Sequence, residues 1–447
     1  MIGVQQRKKS ELAGTDQGGI AQTRRGLSKA WKVVLILSLI LAASEFVARG
    51  PWRTLSTARD FTGSYLSSRA WLKGENPYDQ ELLDRLWTEA CDAPESKDLK
   101  FNRPSVYPLT ALILIAPLAL WNWPASGFLL IAINVLLILL VLNALITISG
   151  LNWREPRGAL FLVLGLAFAP IHTGIALGNL IIPAASSAIL AIWASAKRRD
   201  ILAGALIAIA TGLKPHIGGI VLLNYMLERR RRVCVSAGLF LLSLAGFSFL
   251  RLEIAGVDWR QSWISSSAEW MAKGGTNDPT AANPNRRQLI NLHWPLYQIF
   301  DHAWAVNSII FLFGASLFLI YMYALWRKQT QWRELLSISA LAVLSLPVIY
   351  HRFYDAVLLL LPLAWSLAAW NGEHKTLARF SFLLILPFFI PGPVVLQELA
   401  RGGSWPATLN GAWWWEFLVM PHQVWAVTLL AVCLVYAIAR KTPCLEY

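Results

Sequence analysis

Apolar segments, many of them about long enough to cross a bilayer, recur along the whole chain, and this repetition limits what it can fold into. They lie at about 33–47, 107–121, 126–149, 158–176, 180–196, 201–224, 233–250, 303–325, 335–350, 353–370, 380–397 and 422–439. A transmembrane helix needs about 20 apolar residues, so about twelve of them would occupy about 240 residues. That is roughly half of a 447-residue chain in which 56% of residues are hydrophobic and only 15% charged. A soluble enzyme with one anchor is excluded, because a water-facing surface of that size does not tolerate such a composition. The fold class that follows is an all-α polytopic membrane protein, a bundle of about twelve transmembrane helices with amphipathic helices in its first external loop.

Charge gives the expected topology. The net charge is +14, from 40 basic and 26 acidic residues. In a polytopic chain such an excess belongs in cytoplasmic turns, so no nucleic-acid partner is inferred. Residues 1–30 form a basic tail (Arg7, Lys8, Lys9, Arg24, Arg25, Lys29), expected in the cytoplasm, and residues 31–49 the first span. A cleaved signal peptide is the competing reading, but no clean small-x-small site follows the apolar run. Residues 50–106 then form an external loop, 107–250 a set of membrane helices, 251–302 a second external loop, 303–439 further membrane helices and 440–447 a cytoplasmic tail. The basic turns Arg229 to Arg232, Arg327–Lys328–Arg333, Lys375–Arg379 and Arg440–Lys441 all fall on one side when crossings alternate. Alternate counting puts Lys197–Arg198–Arg199 on the wrong side, unless 107–121 is re-entrant and 201–227 is a hairpin broken at Lys214–Pro215. Cys91, Cys234, Cys433 and Cys444 form no CxxC pair, which argues against a disulfide framework and against zinc. The 22 tryptophans suit aromatic belts at both interfaces.

Within the first external loop, Phe61, Tyr65 and Leu72 share one helical face, and Leu82, Leu83, Leu86, Trp87 and Ala90 share another. Both patterns read as helices on the outer membrane surface. A third such pattern, Trp259, Trp263, Trp270 and Met271, lies in the second loop beside Arg286 and Arg287. Asp60 directly follows the first span, where an enzyme with a lipid-borne substrate would hold a base. A structural reading of the same residue is an N-cap for the helix starting at Phe61. Lys214 sits inside an apolar segment, where a charge is costly and needs a phosphate or a carboxylate to stay ionised; a basic residue near a span end is the alternative. His351 reads as a hydrogen-bonded interface anchor or an active-site group, and Arg352 as a phosphate ligand or a snorkelling headgroup contact. Trp413–Trp414–Trp415 reads as interface anchoring, and His172 and His216 as structural.

The order of several short motifs resembles glycosyltransferase family 87, membrane enzymes related to polyprenyl-phosphate-mannose-dependent mannosyltransferases. The residues that carry the resemblance are Asp60-Phe61 with Tyr65, Gly74 through Asp79, Tyr107-Pro108, Gly178-Asn179, Ala203-Gly204, Leu213-Lys214-Pro215, Ser345-Leu346-Pro347 and His351. Ser64, Leu109 and Asn179 depart from it, standing where an aromatic, a proline and a glutamine are usual. The resemblance implies a GT-C-like bundle that moves a sugar such as mannose from a polyprenyl-phosphate donor to an acceptor hydroxyl, with inversion. It implies Asp60 and His351 as catalytic residues and Arg59, Tyr65, Tyr107, Asn179, Lys214 and Arg352 as substrate-binding ones. The partners it implies are a polyprenyl-phosphate-linked sugar donor, a lipid or glycan acceptor and membrane lipids. The location it implies is a bacterial inner (plasma) membrane, with the active site facing outward.

A phosphate leaving group needs charge stabilisation rather than a general acid, so one base suffices. The external loops hold no Asp-x-Asp pair, and the expectation is a reaction with no metal, no other cofactor and no nucleotide-sugar donor. Two other classes compete. A transporter or flippase would carry ionisable residues at span midpoints and a repeat between halves. A lipid-linked glycan ligase or polymerase would place its catalytic loop late in the chain.

Overall fold

In the computed structural model, residues 29–90, 105–327, 333–401, 403, 409 and 411–440 are described. The tail before Lys29, Cys91, Lys328, Lys441 and Cys444 lie outside them. The first half of the chain forms α1 (Lys29–Arg49), α2 (Pro51–Thr57), α3 (Arg59–Lys73), α4 (Gln80–Ala90), α5 (Leu109–Ala119), α6 (Trp123–Ser149), α7 (Pro156–Leu166), α8 (Ala169–Ala176) and α9 (Ile181–Ala196). It continues through α10 (Asp200–Leu213), α11 (Pro215–Leu227), α12 (Arg231–Ile254), α13 (Arg260–Met271), α14 (His293–Leu296), α15 (Ala303–Trp326) and α16 (Arg333–Val348). A 3-10 turn, Phe353–Leu359, leads into α17 (Leu360–Ala368), followed by α18 (Lys375–Ile385), α19 (Gly392–Arg401) and α20 (His422–Ala439). Among the described residues there is no strand, only one isolated bridge between Leu289 and Arg352. The chain is an all-α polytopic membrane protein.

Six stretches are long and apolar enough to cross a membrane: Ala30–Leu55, Trp123–Ser149, Pro156–Ala176, Arg231–Ile254, Ala303–Trp326 and His422–Ala439. A seventh is added if the bent pair Lys375–Phe389 and Gly392–Arg401 is one span. The other apolar segments form helices of 10–17 residues, so a count of about twelve full-length spans is not reached among the described residues. Several of these short helices are enclosed by protein: α9, α17 and the turn before it are buried along most of their length. Hydropathy alone does not separate a helix buried in protein from one facing lipid.

Lys214 and the basic turns owe their positions to two of these departures. The α5 helix has 11 residues and is therefore about 16 Å long, short of the roughly 30 Å hydrocarbon layer. The α10 and α11 helices break at Lys214–Pro215, because proline drives the residue before it out of the helical region and itself suits the first position of a new helix. Ser236 Oγ donates to Ile201 O at 3.2 Å, and further along, Gly212 lies beside Leu244. Hence α10 and α12 run side by side in the same direction, while α11 returns from Lys214 to the start of α12. This hairpin brings Lys197–Arg198–Arg199 and Arg229 to Arg232 to one end of the bundle, the second of the two arrangements that the charges left open.

The first-loop helices pack against the helix bundle. Ten of the fifteen residues of α3 are buried. Phe61 stacks on Trp123 and Tyr65 meets the same indole edge-on. Leu83, Leu86 and Trp87 of α4 are also buried, with Trp87 edge-on to Trp123. Their apolar faces therefore meet protein rather than lipid.

Candidate active site

Asp60 stands in the first turn of α3, and the neighbouring elements fix it there. Thr54 Oγ1 of α2 donates to Ile175 O at 2.8 Å, and the Asp60 amide donates to Leu177 O at 3.0 Å. Asp60 does not cap α3: the helix starts at Arg59 after Ala58 and has no side-chain cap. Its carboxylate is instead held by Asn179, whose Nδ2 donates to Asp60 Oδ2 at 2.6 Å, while Asn179 Oδ1 accepts the Ile181 amide at 2.9 Å. The residue before it, Gly178, has φ +64°, and a Cβ there would lie 2.7 Å from Phe61 Cβ. Glycine thus lets the start of α3 close onto the turn, and asparagine joins that turn to the carboxylate.

Gly178→Ala should lower stability by about 1–3 kcal/mol, since it adds a left-handed backbone cost to a steric one. Gly246→Ala, on an open face of α12 with nothing within 4 Å, should change stability by less than about 1 kcal/mol. Thermal unfolding of the two variants in detergent checks the contrast, and equal midpoints would show that the α3 contact is not tight.

A second charged group converges from the hairpin tip and from the segment after α16. Lys214 is buried, and its Nζ lies 3.0 Å from Asp355 Oδ1 and 4.7 Å from the centre of the Tyr354 ring. The other Asp355 oxygen accepts the Arg352 amide at 2.9 Å and lies 3.4 Å from His351 Nδ1. Fully buried His351 also places Nε2 3.4 Å from Ser345 Oγ and packs its ring 5.0 Å from that of His216.

The second external loop is sewn onto this segment. The Ile290 amide donates to His351 O at 3.0 Å and the Leu292 amide to Pro347 O at 2.9 Å. Arg352 Nη2 donates to Thr276 O at 3.2 Å, and the Tyr350 hydroxyl donates to Asn277 Oδ1 at 2.6 Å. Asp278 fixes the loop itself. Burial opposes its charge, yet hydrogen bonds from the Gly274 amide and from the amide and hydroxyl of Thr280, together with Lys273, hold its carboxyl below the usual range.

Asp60 lies near enough to this cluster for their charges to interact. The Asp60 charge acts on Arg352, Tyr350, Tyr354 and Tyr107, and the Asp355 charge acts on the same three tyrosines. Arg352 Nε is buried without a hydrogen-bond partner among the described residues.

Of the residues expected from sequence, the fold gathers Asp60, Asn179, Tyr107, His351, Arg352 and Lys214. Tyr65 is not among them. Its hydroxyl donates to Trp121 O at 2.8 Å and accepts from Arg69 at 2.9 Å, within the packed core. Arg59 is exposed at the start of α3. Four members were missed by the sequence reasoning: Asp355, His216, Tyr350 and Tyr354. Asp355 carried a visible signal, a carboxylate in an apolar run four residues after His351. His216, read as structural, joins the cluster, whereas His172 is tied to Leu166 O at 2.6 Å. The ligand atoms of His216, His351 and Asp355 lie within 4.8 Å of one another, a spacing open to a metal ion. Lys214 and the Arg352 amide already engage both Asp355 oxygens, so a cation there would compete with an ammonium.

The sequence model of glycosyltransferase family 87 matches residues 106–349, more than half of the chain. The match includes Tyr107, Gly178-Asn179, Lys214-Pro215 and Ser345-Leu346-Pro347, and Asp60 and the 350–355 segment flank it. No curated protein and no solved structure matches the chain significantly. With the matched region supplying most of the helices around these residues, the chain belongs to glycosyltransferase family 87 and is a membrane glycosyltransferase.

Proposed function

We propose that this enzyme moves a sugar, with mannose the first to test, from a polyprenyl-phosphate donor to an acceptor hydroxyl on a lipid or glycan, with inversion. What supports this reading is that Asn179 holds the Asp60 carboxylate at 2.6 Å, that the Arg352 main chain and side chain are held by Asp355 and Thr276, and that the two charges lie near enough to act on each other. Asp60 accepts the acceptor's proton as the acceptor oxygen attacks the anomeric carbon. The bond from that carbon to the phosphate oxygen breaks, and its electron pair leaves with polyprenyl phosphate. Arg352 meets the departing charge, for which a guanidinium fork is well shaped. Lys214 takes no part in the step, because its charge is already met by Asp355 at 3.0 Å.

The site faces the outer side in this reading. The α9 helix begins beside Asn179 and ends at Lys197, about 24 Å away, and basic turns mark the cytoplasmic face.

Arg352 supplies the charge that a divalent ion would otherwise provide. Purified protein should therefore keep its activity in EDTA and form a product of inverted anomeric configuration, read by proton NMR. Complete loss in EDTA restored by manganese or magnesium, or a product of retained configuration, would contradict this chemistry.

A further inference from the structure

We infer that Asp355 is a positioning residue: it ties Lys214, His351 and the Arg352 main chain into one constellation and so fixes where the Arg352 side chain sits. The inference rests on the proposed roles of Asp60 and Arg352 and adds a residue that touches neither sugar nor phosphate. Both Asp355 oxygens are engaged, and the residue is 1% exposed. One oxygen reaches 141 residues back in sequence to the hairpin tip, at 3.0 Å from Lys214 Nζ. The other holds the Arg352 amide at 2.9 Å and faces His351 Nδ1 at 3.4 Å. The same two residues carry the loop contacts, through the His351 carbonyl to the Ile290 amide and from Arg352 Nη2 to Thr276 O.

Three elements distant in sequence therefore meet at one carboxylate: the α10–α11 hairpin, the segment after α16 and, through that segment, the second external loop. A displacement of about 1 Å at a reacting geometry costs roughly 100-fold in rate, so a residue with these contacts acts on turnover without touching substrate.

A carboxylate that merely neutralises Lys214 would have the same pair contact, and a paired substitution separates the two roles. In Asp355→Asn combined with Lys214→Met, neither member of the buried pair is left charged alone, and the protein should unfold within a few degrees of wild type. If Asp355 positions the site, this double variant loses roughly 100-fold in kcat, while its KM for a polyprenyl-phosphate sugar moves about 3-fold or less. If Asp355 only balances Lys214, the double variant turns over within about 3-fold of wild type, and the inference falls. Should the double variant not fold, Asp355→Glu keeps the charge and moves it by one methylene. A folded Asp355→Glu with kcat down by about 10-fold or more supports positioning, and unchanged kcat overturns it. Asp60→Asn assayed alongside keeps the two ideas apart. An active Asp60→Asn with an inactive double variant removes the base assignment and leaves Asp355, whereas the reverse pattern removes Asp355 and leaves the base.

Discussion

Asp60→Asn should slow sugar transfer by roughly 100-fold to 10,000-fold, the range that a positioned proton acceptor supplies, while the protein still folds and binds donor. The structure makes this substitution a clean test. Asp60 caps no helix, so no cap is lost. Asparagine keeps an oxygen that can accept from Asn179 Nδ2, as Asp60 Oδ2 does. What it loses structurally is a negative charge in the first turn of α3, which favours the helix dipole by about 0.3–1 kcal/mol. That cost moves the unfolding midpoint by a few degrees at most and does not explain a 100-fold slower rate. Donor binding should persist, because the donor's charge is met by Arg352. The measurements are transfer rate, donor affinity and thermal midpoint on the same preparation. Near-normal transfer by a folded variant would place the base elsewhere.

Lys214→Met carries the largest expected effect on stability. The substitution fills the space of the lysine stem but leaves Asp355, 1% exposed, without its cation. Removing one partner of a buried ion pair costs about 3–5 kcal/mol, because the remaining charge has nothing to compensate it. The remaining contacts of Asp355, the Arg352 amide and His351 Nδ1, soften this without supplying a fixed positive charge. A surface pair such as Arg401 with Glu398, both about 61% exposed, gives the contrast: Arg401→Met should change stability by about 1 kcal/mol or less. Thermal unfolding in one detergent checks both variants. Equal midpoints would show that Asp355 is not charged in the folded protein.

Much of the architecture was legible in the sequence. The repeated apolar segments dictate an all-α membrane protein, because a chain in lipid satisfies its backbone within helices or closed barrels. The break at Lys214–Pro215 was readable from the proline, and the two basic turns left only two topologies open. The number of full-length spans was not readable. Hydropathy records that α5, α9, α10 and α11 are apolar, not that they are short. The same limit misplaced α3, whose apolar face meets Trp123 and not the membrane surface.

Within the site, legibility followed sequence distance. Gly178-Asn179 stood out as a motif, but its purpose emerges only where Asn179 meets a carboxylate 119 residues away. The need of Lys214 for a partner was physical and visible, whereas the identity of Asp355 depended on a contact across 141 residues. Tyr65 illustrates the opposite error. It lies five residues beyond Asp60, about 140° around the helix, so a residue near in sequence points into the core.

Purified protein offered an acceptor extract with either a labelled polyprenyl-phosphate sugar or the matching nucleotide sugar tests the central claim most directly. The label should pass to acceptor from the lipid donor alone, with one polyprenyl phosphate released per sugar transferred. Transfer from the nucleotide sugar, with the lipid donor left unconsumed, would contradict it.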